Sequence, residues 1–359
     1  MTAGLDAGDQ PIVLLSDDAC ASEDFALTRA AVAPWRGMML LQLWGRLPGR
    51  GEVELIEAPP LDQAAAILSG GGSDDFAGNL AFSFGGAILL PFANRIRGRP
   101  LASRREIVTL VDGRQVRLPR NWGGRAPGAE QYAMHGLLLG RAPERLQQPA
   151  PNRLEAEFHL GDFDGRWPSR TVATVTWSLE ADGLKLRIDV HNAGNEPLPA
   201  GIGWHPYFKL PGGDRAKVRL QLPAVRRLAV NDYDEVLPTG RKLPVAGTPY
   251  DFSAPIGAPL GDLFLDDCFV GFPPVLLTAA VSDPAAGYTI RLRTTTPVAA
   301  MQVYAPLDRS IIVLEPQTNW ADPFGPAWRK DPPPIPILAS GATLAYEVVT
   351  ALAPYGDSI

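Results

Sequence analysis

The chain has 359 residues, a formal net charge of −6 and a hydrophobic content of 46%. An acidic chain lacks the basic face that nucleic-acid binding needs, which sets that class of partner aside. A chain of this length buries a core without covalent staples, and two cysteines, Cys20 and Cys268, make no disulfide framework. They point instead to a reducing compartment, with the cytoplasm as the expected location.

Met1 to Gln10 has neither the basic residues nor the apolar core of a signal peptide. No apolar run approaches the length of a membrane span. Residues 1–28 read as an irregular lead-in and residues 29–359 as a single domain, with no linker or internal repeat. Glycine and proline, 36 of each, punctuate short runs throughout, so the chain reads as many strands joined by turns.

The spacing predicts one short helix over Leu61–Leu68, with an acidic first turn and a stop at Gly70-Gly71-Gly72. That glycine run lacks the lysine and the following helix of a phosphate-binding loop. The basic cluster Arg95, Arg97, Arg99, Arg104 and Arg105 reads as a solvated loop with one useful arginine.

The clearest strands lie over Val172–Val190. Ala173, Val175, Trp177 and Leu179 alternate with smaller or polar residues, Asp182-Gly183 is the expected turn, and Leu184, Leu186, Ile188 and Val190 alternate in the return strand. His191 falls on the polar side. Further alternation at 218–222, 290–293 and 344–349 extends sheet through the C-terminal half, and the prolines of 331–336 mark a loop.

Gly203-Trp204-His205-Pro206-Tyr207-Phe208 sets a histidine among aromatic and proline side chains. Flat apolar surface with a few polar groups at its edge is the usual makeup of a small-ligand pocket. Read alone, His205 is either a hydrogen-bonded structural histidine or a proton donor. Glu315 follows the apolar run Ser310 to Leu314, an interior-strand pattern that would raise a carboxyl group's proton affinity; a solvent-facing or arginine-paired glutamate is the other reading. Trp204 and Trp320 read as core, and Cys268 as a small buried hydrophobe. The histidines His135, His159, His191 and His205 lie far apart in sequence, without the short spacing of a zinc motif, so no metal is expected.

Asn94-Arg95-Ile96, His135-Gly136, His205-Pro206-Tyr207-Phe208, Asp266-Asp267-Cys268-Phe269, Gln302-Val303-Tyr304 and Glu315-Pro316, in this order, resemble the aldose 1-epimerase (mutarotase) family over about residues 30–352. The resemblance implies an all-β supersandwich of the galactose mutarotase type with few short helices. It also implies an isomerase that interconverts the α and β anomers of a free aldose without a cofactor.

By the same resemblance Glu315 is the general base and His205 the acid that protonates the ring oxygen, with His135 a second imidazole beside that oxygen. Arg95, Asn94, Asp266, Gln302 and Tyr207 would bind the sugar. Adjacent strand residues point to opposite faces, so only one of Asp266 and Asp267 should enter the pocket, and the resemblance gives that place to Asp266. Gln317 is expected in the pocket wall, away from the groups that move protons. The expected partner is a small sugar, with neither nucleic acid nor membrane; oligomeric state is left open. Two other readings keep the scaffold: a hexose-6-phosphate mutarotase using the arginines after Asn94, and a sugar-binding or regulatory protein without turnover. A glycoside hydrolase would need two carboxyl groups, Glu315 and Asp266, and would leave the histidines without a role.

Overall fold

The alternation in the middle of the chain becomes two ten-residue antiparallel strands, Thr171–Glu180 and Gly183–Asn192. Their turn sits one residue earlier than expected. Glu180 pairs with Gly183, so Ala181 and Asp182 form the loop and Gly183 opens the return strand. Glycine is needed there because its φ is +135° and a Cβ would lie 2.1 Å from the carbonyl oxygen of Thr350. In this computed structural model the described residues are 11–17, 24–71, 73–102, 105–273, 276–295 and 298–357.

These strands belong to a nine-stranded antiparallel sheet, which packs against an eleven-stranded one. Trp177 of the first meets Trp204 of the second edge to face, with ring centroids 5.6 Å apart. One core cluster fills the space between them: Val175, Leu186, Ile290 and Tyr346 come from the smaller sheet, and Phe208, Leu314, Met301 and Phe269 from the larger. The fold is an all-β supersandwich with few short helices. Among the described residues no helix is long and apolar enough to cross a membrane.

The middle of the eleven-stranded sheet runs in the spatial order Gly86–Leu89, Gly203–Lys209, Ile311–Gln317, Ala300–Ala305 and Leu265–Val270. All four neighbouring pairs are antiparallel. Ile311–Gln317 is buried at every position, as its doubly apolar sequence anticipates, and Glu315 stands inside it, not at its end.

The helix forms over Leu61–Ser69, with Asp62 in its first turn. Strands at 219–221, 288–294 and 343–354 cover the other alternating runs, and residues 331–336 are outside regular structure. His191 is on the polar side, within 3.1 Å of the Thr343 hydroxyl. The lead-in is not irregular throughout. Val13–Ser16 is an edge strand pairing with Leu27–Ala33, driven by the apolar Ile12-Val13-Leu14-Leu15 run. Met1 to Gln10, Cys20, Gly72 and Arg104 lie outside the described residues.

The arginine cluster is also not a loop. Arg95–Arg97 is a strand paired with Gln131–Met134, Arg97 is held by Asp322 at 2.7 Å, and Arg105 stacks over Phe76 at 3.8 Å. Arg99 is exposed at the start of the next short strand. Among the described residues of this group only Arg95 reaches the pocket described below.

Candidate active site

Alternation along the central strands of the larger sheet sends one set of side chains into the core and the other outward. Trp204 and Phe208 go inward; His205 and Tyr207 go outward. Ile312 and Leu314 go inward while Glu315 faces out, and Met301 and Val303 go inward while Gln302 and Tyr304 face out. The outward set lines a cavity of about 510 Å³.

Gly203 pairs with Gln317 and Tyr207 with Val313, so the register sets His205 opposite Glu315. Their side chains meet, with Nε2 of His205 3.3 Å from Oε1 of Glu315. Gln302 is Glu315's neighbour on the other side. Two catalytic candidates 110 positions apart in sequence thus come together through strand pairing alone.

His135 arrives from a different ribbon. The strands Arg95–Arg97 and Gln131–Met134 pair with Met134 opposite Arg95, and the His135 amide donates to the Asn94 carbonyl at 2.9 Å. At this ribbon end both residues adopt left-handed backbone, φ 63° at Asn94 and 61° at His135. Such conformations are uncommon outside glycine and gather at functional sites. Gly136 follows with φ 83°, packed so closely on Leu90 that a Cβ would lie 2.3 Å from its carbonyl oxygen. The bend presents the His135 ring edge-on to that of His205, centroids 4.9 Å apart, with Phe82 on its other flank at 4.9 Å.

Beside this triad four side chains form a closed hydrogen-bonded ring. Arg95 Nη1 donates to Asn94 Oδ1 at 2.9 Å, and Asn94 Nδ2 donates to Gln302 Oε1 at 3.0 Å. Gln302 Nε2 donates to Asp266 Oδ1 at 2.5 Å, and Arg95 Nη2 closes the ring to Asp266 Oδ2 at 3.4 Å. Asp267 turns to the opposite face, fully buried against Arg227 at 2.6 Å and the Tyr233 hydroxyl at 3.0 Å. Tyr207 lines the pocket with its hydroxyl tied to the Phe82 carbonyl at 2.7 Å.

Burial sets the proton affinities. It raises the Glu315 carboxyl well above its ordinary range, and the negative Asp266 adds to this, while a hydrogen bond from Gln317 pulls the other way. It lowers the His205 imidazole to about 4, and the positive Arg95 contributes. His135 is pushed well below its usual value by burial, then by His205 and Arg95. A carboxyl raised and an imidazole lowered, in contact, are placed to exchange a proton.

Gln317 is not a bystander in the wall. Its Nε2 donates to Glu315 Oε2 at 2.9 Å, so it touches the proton-transfer carboxylate directly. Residues two apart on a strand share a face, which is the sequence signal for that contact. Sequence reasoning also missed the outer lining: Trp122, Arg125, Tyr233, Phe264 and Arg309 come from loops or strand ends with no motif of their own. Trp204 packs in the main core, and Trp320 with Cys268 and Trp328 in a smaller cluster. The Cys268 thiol is buried and pushed up to about 12, which leaves it a poor nucleophile.

Although distant in sequence, His135 and His205 converge with Glu315, and one donor atom from each lies within 4.8 Å of the others. Such a set could hold a metal ion.

The two-sheet supersandwich thus carries an imidazole–carboxylate pair and a closed polar ring on the outward face of its larger sheet. The aldose 1-epimerase family model matches residues 63–349, and the chain belongs to that family. It is 32% identical over 221 residues to the uncharacterized protein YphB of Escherichia coli and 26% identical over 197 residues to human galactose mutarotase. These alignments cover 60% and 52% of this chain and span only 64% and 55% of the length of those two relatives. The fold matches a galactose mutarotase-like protein from Clostridium acetobutylicum with a TM-score of 0.73 at 14% identity, covering 99% of this chain and 98% of that one. It also matches a galactose 1-epimerase from Lactobacillus acidophilus with a TM-score of 0.66 at 17% identity, covering 99% and 98%.

Proposed function

We propose that the protein is a mutarotase that interconverts the α and β anomers of a free aldose. The observation that carries this reading is the 3.3 Å contact of His205 with Glu315 at the buried end of a polar cavity. Binding alone requires no matched acid and base.

Burial raises the proton affinity of Glu315 and lowers that of His205, so the touching pair can exchange one proton. With that proton on His205 the pair is in its working form. Glu315 then takes the proton of the anomeric hydroxyl while His205 gives its proton to the ring oxygen. The bond between C1 and the ring oxygen breaks and C1 becomes an aldehyde carbon. Rotation about the bond from C1 to C2 turns the other carbonyl face to the ring oxygen, and reclosure reverses both transfers. His135, neutral under its burial, accepts or donates at the ring oxygen without carrying charge. The ring of Arg95, Asn94, Gln302 and Asp266 holds the remaining hydroxyls, with Tyr207 as a wall.

A free aldose is favoured over a hexose 6-phosphate because, of the arginines following Asn94, Arg97 is held by Asp322, Arg105 stacks over Phe76 and neither lines the cavity. Anomer exchange followed by NMR over a panel of common aldoses, with glucose 6-phosphate included, tests the reading. Acceleration of at least one neutral aldose is expected. Saturable sugar binding without acceleration would establish a binding protein, and a strong phosphate preference would defeat the free-sugar substrate.

A further inference from the structure

A second cavity, of about 310 Å³, shares a stretch of chain with the first: His135 lines one, and Leu137, two residues on, lines the other. That volume falls in the range of small-ligand sites. The residues that line it take no part in the proton transfers.

Its lining is cationic. Arg36, Arg141 and Arg166 face it against one carboxylate, Asp75. Arg36 and Asp75 are buried and form a fixed floor, both Nη atoms of the arginine donating to the carboxylate at 2.7 Å. Arg141 and Arg166 are adjustable, with side chains 40% and 39% exposed. Arg141 pairs with the exposed Asp164, and Arg166 reaches Glu106 only at 3.8 Å. Ion pairs of this kind contribute little and exchange readily for a better ligand. Three arginines against one aspartate leave an excess of two positive charges at the cavity. A phosphate monoester, with a charge of about −2 and oxygens that guanidinium groups grip in parallel pairs, is matched to them.

The walls are also strained. Ala77 in the lining, and Phe163 and Asp164 just before Arg166, hold left-handed backbone with φ of 59°, 54° and 60°. Outside glycine such backbone gathers at functional sites, as it does at Asn94 and His135 beside the first cavity.

Both walls lead to His135. One is the chain that follows it, in which the Leu137 amide donates to the Leu90 carbonyl at 2.7 Å and the Arg141 amide to the Leu138 carbonyl at 2.9 Å. The other is residues 75–82, which place Asp75, Ala77 and Gly78 in the second cavity and end at Phe82, edge-on to the His135 ring at 4.9 Å. Asn79 of that segment is tied to Asn121 at 2.7 and 2.8 Å, and the Asn121 side chain holds the backbone of Met134 at 2.8 and 3.1 Å. A contiguous set of packed and hydrogen-bonded groups thus joins the two cavities. We infer that the second cavity is a ligand site for a small phosphate-bearing metabolite, and that its occupancy is felt at the His135 ring. Only the consequence of that movement for turnover rests on the mutarotase reading.

Calorimetry at neutral pH and fixed ionic strength, with inorganic phosphate, glycerol 3-phosphate and acetate as probes, tests the site in the wild type, Arg141→Gln, Arg166→Gln and Arg125→Gln, the last altering the first cavity. Saturable binding of at least one phosphate with a Kd below about 1 mM is expected. Arg141→Gln and Arg166→Gln, with melting temperatures checked, should each weaken it about tenfold, and Arg125→Gln by less than about twofold. Absence of saturable phosphate binding, acetate binding as tight as phosphate, or a loss in Arg125→Gln as large as in the other two overturns the site. The carbon–proton NMR signals of the His135 ring, identified through His135→Gln, should shift at saturating phosphate in the wild type and stay in place in the double variant Arg141→Gln/Arg166→Gln. A signal that does not move in the wild type, or moves equally in the double variant, overturns the link to His135. Neither readout uses turnover, so failure of the mutarotase reading is seen separately, in the anomer-exchange panel.

Discussion

The two faces of the eleven-stranded sheet are made by the same strands and obey opposite rules. On the inner face Trp204, Phe208, Ile312, Leu314, Met301 and Val303 meet the other sheet in an apolar layer. On the outer face, one residue away in each case, His205, Tyr207, Glu315, Gln302 and Tyr304 bring polar atoms into a buried cavity. The period of two lets one strand stabilise the fold and present chemistry at the same time. Burying an ionisable carboxyl and two imidazoles costs stability, and the inner face offsets that cost. Stability and reactivity should therefore separate by residue parity.

The largest effect sharpens that separation at adjacent positions. Glu315→Gln should lower the anomer-exchange rate by about two to four orders of magnitude. The raised proton affinity of Glu315 means that its stability contribution falls as pH rises through its folded value, so removing the ionisable group should raise the melting temperature about 2 °C at pH 8. Leu314→Ala should do the reverse, costing about 2–5 kcal/mol in urea denaturation while leaving the rate per folded molecule intact. A rate defect in Leu314→Ala at matched folded fraction would break the comparison, as would normal turnover in Glu315→Gln.

A smaller effect concerns acid. His205 has its proton affinity lowered from 6.5 to about 4, so the folded protein binds fewer protons than the unfolded chain between those values. The contribution is full above about pH 6.5 and is lost as pH falls toward 4. His205→Asn should flatten the drop in urea midpoint between pH 7 and pH 5; an unchanged drop would place the acid sensitivity elsewhere. The smallest effect belongs to Gln317. Because its hydrogen bond lowers the Glu315 proton affinity, Gln317→Met should move the alkaline limb of the rate profile upward, with a rate change within about tenfold. A limb that stays in place would remove Gln317 from control of the carboxyl.

Much of this was legible before any coordinates. The period-two alternation over 171–192 named a hairpin, and the doubly apolar run before Glu315 named an interior strand, because burial on one or both faces writes itself into composition. The same parity says that only one of Asp266 and Asp267 faces the pocket, and the family resemblance says which. Less legible was whatever depends on loops. Trp122, Tyr233 and Phe264 share no periodicity with the central strands, and only tertiary packing brings them to one mouth. The edge strand Val13–Ser16 was missed because four residues carry too little pattern to stand out from an irregular segment. The hairpin turn was misplaced by one residue because Gly183 serves close packing on Thr350 instead of the loop itself.

The polar ring has one more implication, which concerns direction. A guanidinium can only give hydrogen bonds and a carboxylate can only take them, so Arg95 and Asp266 act as opposite poles, and the amides of Asn94 and Gln302 wired between them cannot flip. Their unused N–H groups and lone pairs therefore sit in a fixed sequence around the wall before any ligand arrives. Epimers that differ at a single carbon would meet that sequence in or out of phase. Stereochemical discrimination would then be encoded in the polarity of a circuit, without any movement of the backbone.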